Sequence, residues 1–135
     1  MRLLIIDGQG GGLGRQLVTA LKTACPGAEI RAVGANSAAT AAMLRAGADE
    51  AATGENAVVV GCRWADVIAG PVGIVLADAL LGEITPAMAA AVARSPARRV
   101  LLPVNLCDTL IAGVPDQTMG ELVQRAAALI QAIEN

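Results

Sequence analysis

The densest chemical signal in the chain is the run Gly8-Gln9-Gly10-Gly11-Gly12-Leu13-Gly14. It follows the apolar stretch Leu3-Leu4-Ile5-Ile6 and the single carboxylate Asp7, and it leads into Leu13, Leu17, Val18 and Leu21 at helical spacing. A glycine turn between a strand and a helix lets the backbone take positive φ and lets a ligand come close. The unpaired N–H groups of the helix start, with the helix dipole behind them, attract an anion. A tight turn that only packs a helix on a sheet needs one glycine; five in seven positions point to a phosphate-bearing ligand held by Gly8, Gln9, Gly10, Gly11, Gly12 and Gly14. Asp7 fits this picture poorly. Its charge repels a bare pyrophosphate, so its candidate roles are a magnesium ion, a ribose hydroxyl or its own turn.

The spacing separates this turn from the standard nucleotide loops. Gly8, Gly10 and Gly14 give G-x-G-x-x-x-G, and Leu13 stands where the third glycine of the dinucleotide fingerprint belongs. Gly8, Gly12 and Gly14 give G-x-x-x-G-x-G, which resembles the loop of short-chain dehydrogenases. Arg15-Gln16 replaces the Lys-Ser or Lys-Thr of a P-loop. An NAD site also wants an acid at the end of the second strand for the ribose hydroxyls. Here that strand ends in Val33-Gly34-Ala35-Asn36-Ser37. Asn36 and Ser37 remain as contacts for a ribose or a second phosphate, or Ser37 serves as a helix cap. The cofactor is thus NAD(P) or another nucleotide, with standard NAD binding demoted.

Catalytic machinery is sparse. The chain has no His and no Tyr, and its only Lys is Lys22, on the first helix. A Ser-His-Asp or Cys-His arrangement is excluded, as is the Tyr-Lys pair of the dehydrogenases that the loop resembles. Cys62 and Cys107 each follow a predicted strand and read as small buried hydrophobes, with a thiol pair of redox or metal function facing one crevice as the alternative. Arg63 beside Cys62 would lower that thiol's pKa if the two touch. Asp66, Asp78 and Glu83 read as solvated or capping residues, and Arg94, Arg98 and Arg99 as a solvated basic face. No metal site is expected from these spacings.

The elements that must position these groups alternate between strand and helix. Predicted strands are Leu3–Ile6, Glu29–Val33, Asp49–Thr53, Val58–Val60, Val67–Ile68 and Val100–Leu102. Predicted helices follow Gly12, run from Ser37 to Arg45, cover Val72–Leu81, start at Thr85-Pro86, and end the chain behind the capping box Thr118…Glu121. The last helix is expected to carry Leu122, Ala126, Leu129 and Ile133 on one face. Such alternation predicts a single Rossmann-like domain over residues 1–135: a three-layer α/β/α sandwich with a mostly parallel sheet of five or six strands. Polar and glycine residues gather after the strands, where ligands bind in open α/β sheets.

Composition narrows the partners. Of 135 residues, 55% are hydrophobic and 16% charged, with a net charge of −2. So few charges predict apolar surface buried between subunits, and the Thr85–Arg94 helix, apolar nearly all round, predicts a homodimer. A pI near 5.0 and Trp64 as the only aromatic residue argue against nucleic acid. No membrane span or signal peptide stands out, and three scattered cysteines make no disulfide framework, so a cytoplasmic location is expected.

The stretches Ile6–Gly12, Ala32–Ser37, Ala42–Asp49 and Leu81–Ala89, together with Gly54-Glu55-Asn56, resemble a bacterial family, domain of unknown function 3842. The resemblance covers nearly the whole chain and is most specific at Leu81-Gly82-Glu83-Ile84-Thr85-Pro86-Ala87-Met88-Ala89. It implies a small stand-alone bacterial protein and brings no activity with it. Three functions therefore compete: a regulatory or non-catalytic nucleotide-binding protein, a small enzyme using carboxylates or Cys62 and Cys107 on a phosphorylated substrate, and a structural subunit with an empty turn.

Overall fold

The computed structural model describes residues 1–134. Five strands form one sheet in the order β3-β2-β1-β4-β5, every neighbouring pair parallel. They are β1 (Arg2–Asp7), β2 (Glu29–Gly34), β3 (Glu50–Thr53), β4 (Val67–Pro71) and β5 (Arg98–Leu102), joined by α1 (Gly12–Ala24), α2 (Ser37–Arg45), α3 (Glu55–Trp64) and α4 (Pro86–Arg94) and closed by α5 (Met119–Glu134).

The central strand shows why the sheet is covered on both sides. Successive side chains of a strand point to opposite faces. Leu3 and Ile5 pack with Leu17, Leu21, Met43 and Ile130 beneath α1, α2 and α5. Leu4 and Ile6 pack with Val58, Ile84, Met88 and Val92 beneath α3 and α4. A run apolar in every position is thus the mark of a strand buried on both faces. From β1 the chain winds outward to β2 and β3, then returns across the sheet to β4 on the other side of β1. Between β1 and β4 the direction of winding reverses, and in such folds the crevice outside the strand ends at that point receives ligands.

Four expectations are corrected. Val58–Val60 is helical and belongs to α3. Three adjacent valines favour a strand locally, but Val58, Gly61 and Cys62 lie at helical spacing and are the residues that face the core. Gly61 is an approach point and not a strand end: a Cβ there would lie 2.9 Å from the Leu4 side chain. The sheet accordingly has five strands, all parallel. Val72–Leu81 is not a helix beyond one 3-10 turn, Val72–Val75. The chain then enters a tight loop in which Asp78, Leu80, Leu81 and Gly82 all have positive φ. The buried stripe of α5 is Leu122, Val123, Ala126, Ala127 and Ile130, while Leu129 is 60% exposed. Finally, the cap of α2 is Asn36 and not Ser37, because the Asn36 side chain accepts the Ala39 N–H.

Other local signals hold. Thr85 caps α4 with Pro86 as its first residue. Thr118 and Glu121 exchange capping hydrogen bonds at the start of α5. On α4, Met88, Ala89 and Val92 face the core, and Ala87, Ala93 and Arg94 face outward. Trp64 sits at the far end of the sheet from the glycine turn, with the Arg31 guanidinium 4.0 Å above its ring. Among the described residues no helix is long and apolar enough to cross a membrane.

Candidate functional site

The glycine turn links the carboxyl end of β1 to α1, and each glycine in it has a separate steric reason. Gly11 is the N-cap of α1 with φ 74°, and a Cβ there would meet the α2 backbone, 2.8 Å from Ala39 Cα. Gly14 lies against α2 and β1; a Cβ would fall 2.5 Å from Met43 Sδ and 2.9 Å from Asp7 Cβ. Gly8 lies under the loop after β4, with Glu83 Oε1 and Leu80 Cδ1 within 3 Å of a Cβ position. Gly10 and Gly12 are different. Both are exposed, and nothing lies within 4 Å of a Cβ on either. Packing explains Gly8, Gly11 and Gly14. It does not explain Gly10 and Gly12.

The hydrogen bonds of the turn sort in the same way. The first N–H groups of a helix have no partner within it. The Gly11 N–H donates to Gly8 O at 2.9 Å, and the Gly14 N–H to Asp7 Oδ2 at 2.7 Å. Among the described residues, no backbone or side-chain acceptor takes the N–H groups of Gly10, Gly12 and Leu13. At Gly10 and Gly12 the turn therefore presents exposed donors with no side chain in the way.

Asp7 is built into the turn from below. It is buried, and its Oδ1 also accepts the Gly8 N–H at 2.8 Å. Both carboxylate oxygens are thus spent on the backbone, which is the role as its own turn among those considered for it. Burial pushes the Asp7 carboxyl above its ordinary value; the N–H bonds from Gly14 and Gly8 pull it back, and the nearby Glu83 charge adds a smaller upward push.

Asn36 and Glu83 tie the turn to its neighbours. The Asn36 amide donates to Gln9 O at 2.7 Å and to Glu83 Oε2 at 2.5 Å. The Gln9 N–H donates to Glu83 Oε1 at 2.6 Å. The sequence points to Asn36 as a site residue and to Glu83 only as a solvated or capping residue; the fold brings both to one point. The signal for Glu83 lay in the family-specific stretch Leu81–Ala89, which the sequence could not place in space. Ser37 is exposed at the first residue of α2.

Beside the turn, at the reversal between β1 and β4, lies an open crevice of about 400 Å³ lined by Gln9, Asp78, Leu80, Leu81, Asn105 and Asp108. Larger grooves run along the flanks, one of about 590 Å³ between α1 and α5 and one of about 610 Å³ beside β5. No residue of the turn lines either of them, whereas Gln9 of the turn lines the smaller crevice. Cys107 lines the crevice and is exposed. Cys62 does not. Because Val58–Val60 is helical, Cys62 lies buried on α3, in a groove against α4. Burial pushes its thiol up to about 11, so Arg63 confers no activation. Of the two readings of these cysteines, Cys62 follows the buried-hydrophobe one, and the two thiols form no pair. Among the described residues no group of three or more Cys, Asp or Glu could hold a metal ion.

The chain belongs to the family described as Domain of unknown function (DUF3842), whose model matches residues 2–135. No curated protein matches the chain. Solved structures similar to it include a dodecameric FMN-dependent UbiX-like decarboxylase from Escherichia coli O157:H7, with 20% identity over 96% of this chain and 76% of that one and a TM-score of 0.49. AibC is 22% identical over 96% of this chain with a TM-score of 0.52, and the chain spans only 38% of its length. At these identities the likeness concerns the fold alone.

Proposed function

We propose that the chain is a binding protein for a phosphate-bearing small molecule, most economically a nucleotide. The observation that carries this reading is the set of unpartnered N–H groups on Gly10, Gly12 and Leu13 at the start of α1, with Gly10 and Gly12 exposed. Backbone donors at a helix N-terminus favour an anion through both hydrogen bonds and the helix dipole. Gly8, Gln9, Gly10, Gly11, Gly12 and Gly14 form the phosphate cradle in this reading. The crevice residues Asn105 and Asp108 offer hydrogen-bonding groups to a sugar, and Leu80 and Leu81 offer apolar surface to a ring. Asn36 acts by holding the loop at Gln9, and Ser37 extends the polar edge toward a second phosphate or a ribose. The absence of His, Tyr and a crevice lysine supports binding or regulation over catalysis.

We further propose a homodimer whose contact uses the groove between α3 and α4, where Val59, Ala87, Ala90 and Ala91 leave a smooth surface beside Arg94. The low charge content of the chain supports this reading.

The test of ligand binding is a thermal-shift and calorimetric screen of inorganic phosphate, pyrophosphate, mononucleotides including FMN, and NAD and NADP, run with and without magnesium. A ligand at a hundred times its Kd raises stability by about 2.7 kcal/mol. The variant Gly12→Asp places a carboxylate at the first residue of α1, in open space, where the fold tolerates it. Binding present in the wild type and lost in this variant supports the reading; a screen in which no compound moves the melting point sinks it.

A further inference from the structure

Glu83 takes one backbone donor at the mouth of the turn and leaves those of Gly10, Gly12 and Leu13 unpartnered. Its two carboxylate oxygens take two separate donors, the Gln9 backbone N–H at 2.6 Å and the Asn36 amide at 2.5 Å. Oε1 lies so close over Gly8 that a Cβ there would stand 2.7 Å from it. A carboxylate accepting a backbone N–H of a glycine turn uses the same chemistry as a phosphate oxygen. Gln9 is the one turn donor at the crevice mouth that already has a partner from another loop, and Gln9 lines the crevice.

The loop that delivers Glu83 is built to hold that residue in place. Glu83 follows Asp78, Leu80, Leu81 and Gly82, with φ of 65°, 58° or less for the two leucines, and 87° respectively. Left-handed backbone at non-glycine residues persists only where the surroundings impose it. Within the loop, the Asp78 N–H donates to Ile84 O at 2.7 Å, the Ile84 N–H to Ala79 O at 3.1 Å and the Glu83 N–H to Leu80 O at 3.2 Å. Ala79, Leu80 and Ile84 are buried, which anchors the two ends. The tip is not anchored: Leu81 is 97% exposed. Moving the tip and the Glu83 side chain therefore removes no apolar surface from the core.

We propose that Glu83 is a built-in competitor for the glycine turn, which a phosphate-bearing ligand must displace before it can reach the Gln9 N–H. This rests on the reading of the turn as an anion site. It makes Glu83 the residue that sets how strong an anion must be to enter. A dianionic phosphate ester outbids one carboxylate at these donors; a monocarboxylate ligand of the same size does not.

The test compares the wild type with Glu83→Gln and Glu83→Ala, using pyrophosphate and ADP as probes in calorimetric titrations. Glu83→Gln keeps the shape and removes the charge, and Glu83→Ala removes the competitor outright; circular dichroism melts check that both fold. Both variants are expected to bind the probes roughly ten- to a hundredfold more tightly. The Gln9 amide should also exchange hydrogen faster in Glu83→Ala without any ligand. Equal affinity in wild type and both variants, with Gly12→Asp abolishing binding, overturns the competitor role and leaves the anion site standing. Weaker binding in the Glu83 variants also overturns it, since Glu83 would then belong to the ligand's own contacts. Absence of binding in all four chains overturns both.

Discussion

Asp7 shows how one residue can look like a ligand group and act as a structural one. Its carboxylate sits below the turn, buried, with both oxygens bonded to the backbone of Gly8 and Gly14. Because burial raises its folded-state pKa above the ordinary 3.8, the folded protein keeps a proton that the unfolded chain has already lost in the window above that value. Stability from this residue therefore increases as pH falls through the window, and the carboxylate burdens the fold at higher pH. The difference in Tm between wild type and Asp7→Asn isolates the effect. It should move in favour of the wild type as pH falls from about 7 to about 4; a difference that stays flat or moves the other way contradicts the assignment. The glycines divide just as clearly. Ala normally beats Gly in a helix by about 1 kcal/mol, yet Gly14→Ala drives a Cβ against Met43 and Asp7, both fully enclosed. It should destabilise by about 1–3 kcal/mol in denaturant titrations, whereas Gly12→Ala, pointing into open space, should leave stability nearly unchanged. Composition alone cannot tell these two glycines apart, because the difference lies in α2 and β1, far along the chain or behind the turn.

At the scale of elements, the sequence was most legible where a single physical cause acts locally. The apolar run of β1, the Thr85-Pro86 start of α4 and the Thr118…Glu121 box each announce themselves within a few residues. It was least legible where tertiary packing overrides local preference. Val58-Val59-Val60 has the residue types of a strand, but its helical contacts with Leu4 and the α4 side of the core decide the outcome. The loop after β4 hid in the same way, since its left-handed residues ahead of Gly82 are leucine and aspartate, types that carry no turn signal comparable to glycine. That error had a functional cost: with Val72–Leu81 read as a helix, Glu83 had no reason to return to Gln9. The same correction relocates Cys62 to α3 and separates it from Cys107. Thiol labelling of the native protein should accordingly modify Cys107 quickly. Cys25 and Cys62, buried and with thiols pushed up to about 11, should react only at the rate of unfolding. Fast modification of Cys62 would refute the placement of α3.

For the whole molecule, the all-parallel order β3-β2-β1-β4-β5 creates a single point where the winding reverses, and the glycine turn, Asn36, Glu83 and the crevice all meet beside it. The sheet architecture was readable from the alternation of elements. The meeting of Gly8–Gly14 with a carboxylate some seventy residues away was not, because only the strand order brings the loops after β1 and β4 together. The dimer belongs to this scale too. Sedimentation velocity at micromolar concentration should give a dimer that Ala90→Glu, in the groove between α3 and α4, converts to monomer; a wild-type monomer excludes that contact. The claim on which the rest depends is that the unpartnered N–H groups of Gly10, Gly12 and Leu13 bind a phosphate. Its most direct measurement is the titration of wild type and Gly12→Asp, side by side, with the strongest ligand from the phosphate and nucleotide screen. The account predicts saturable binding to the wild type that Gly12→Asp loses while remaining folded; equal binding by the two chains, or none by the wild type, would contradict it.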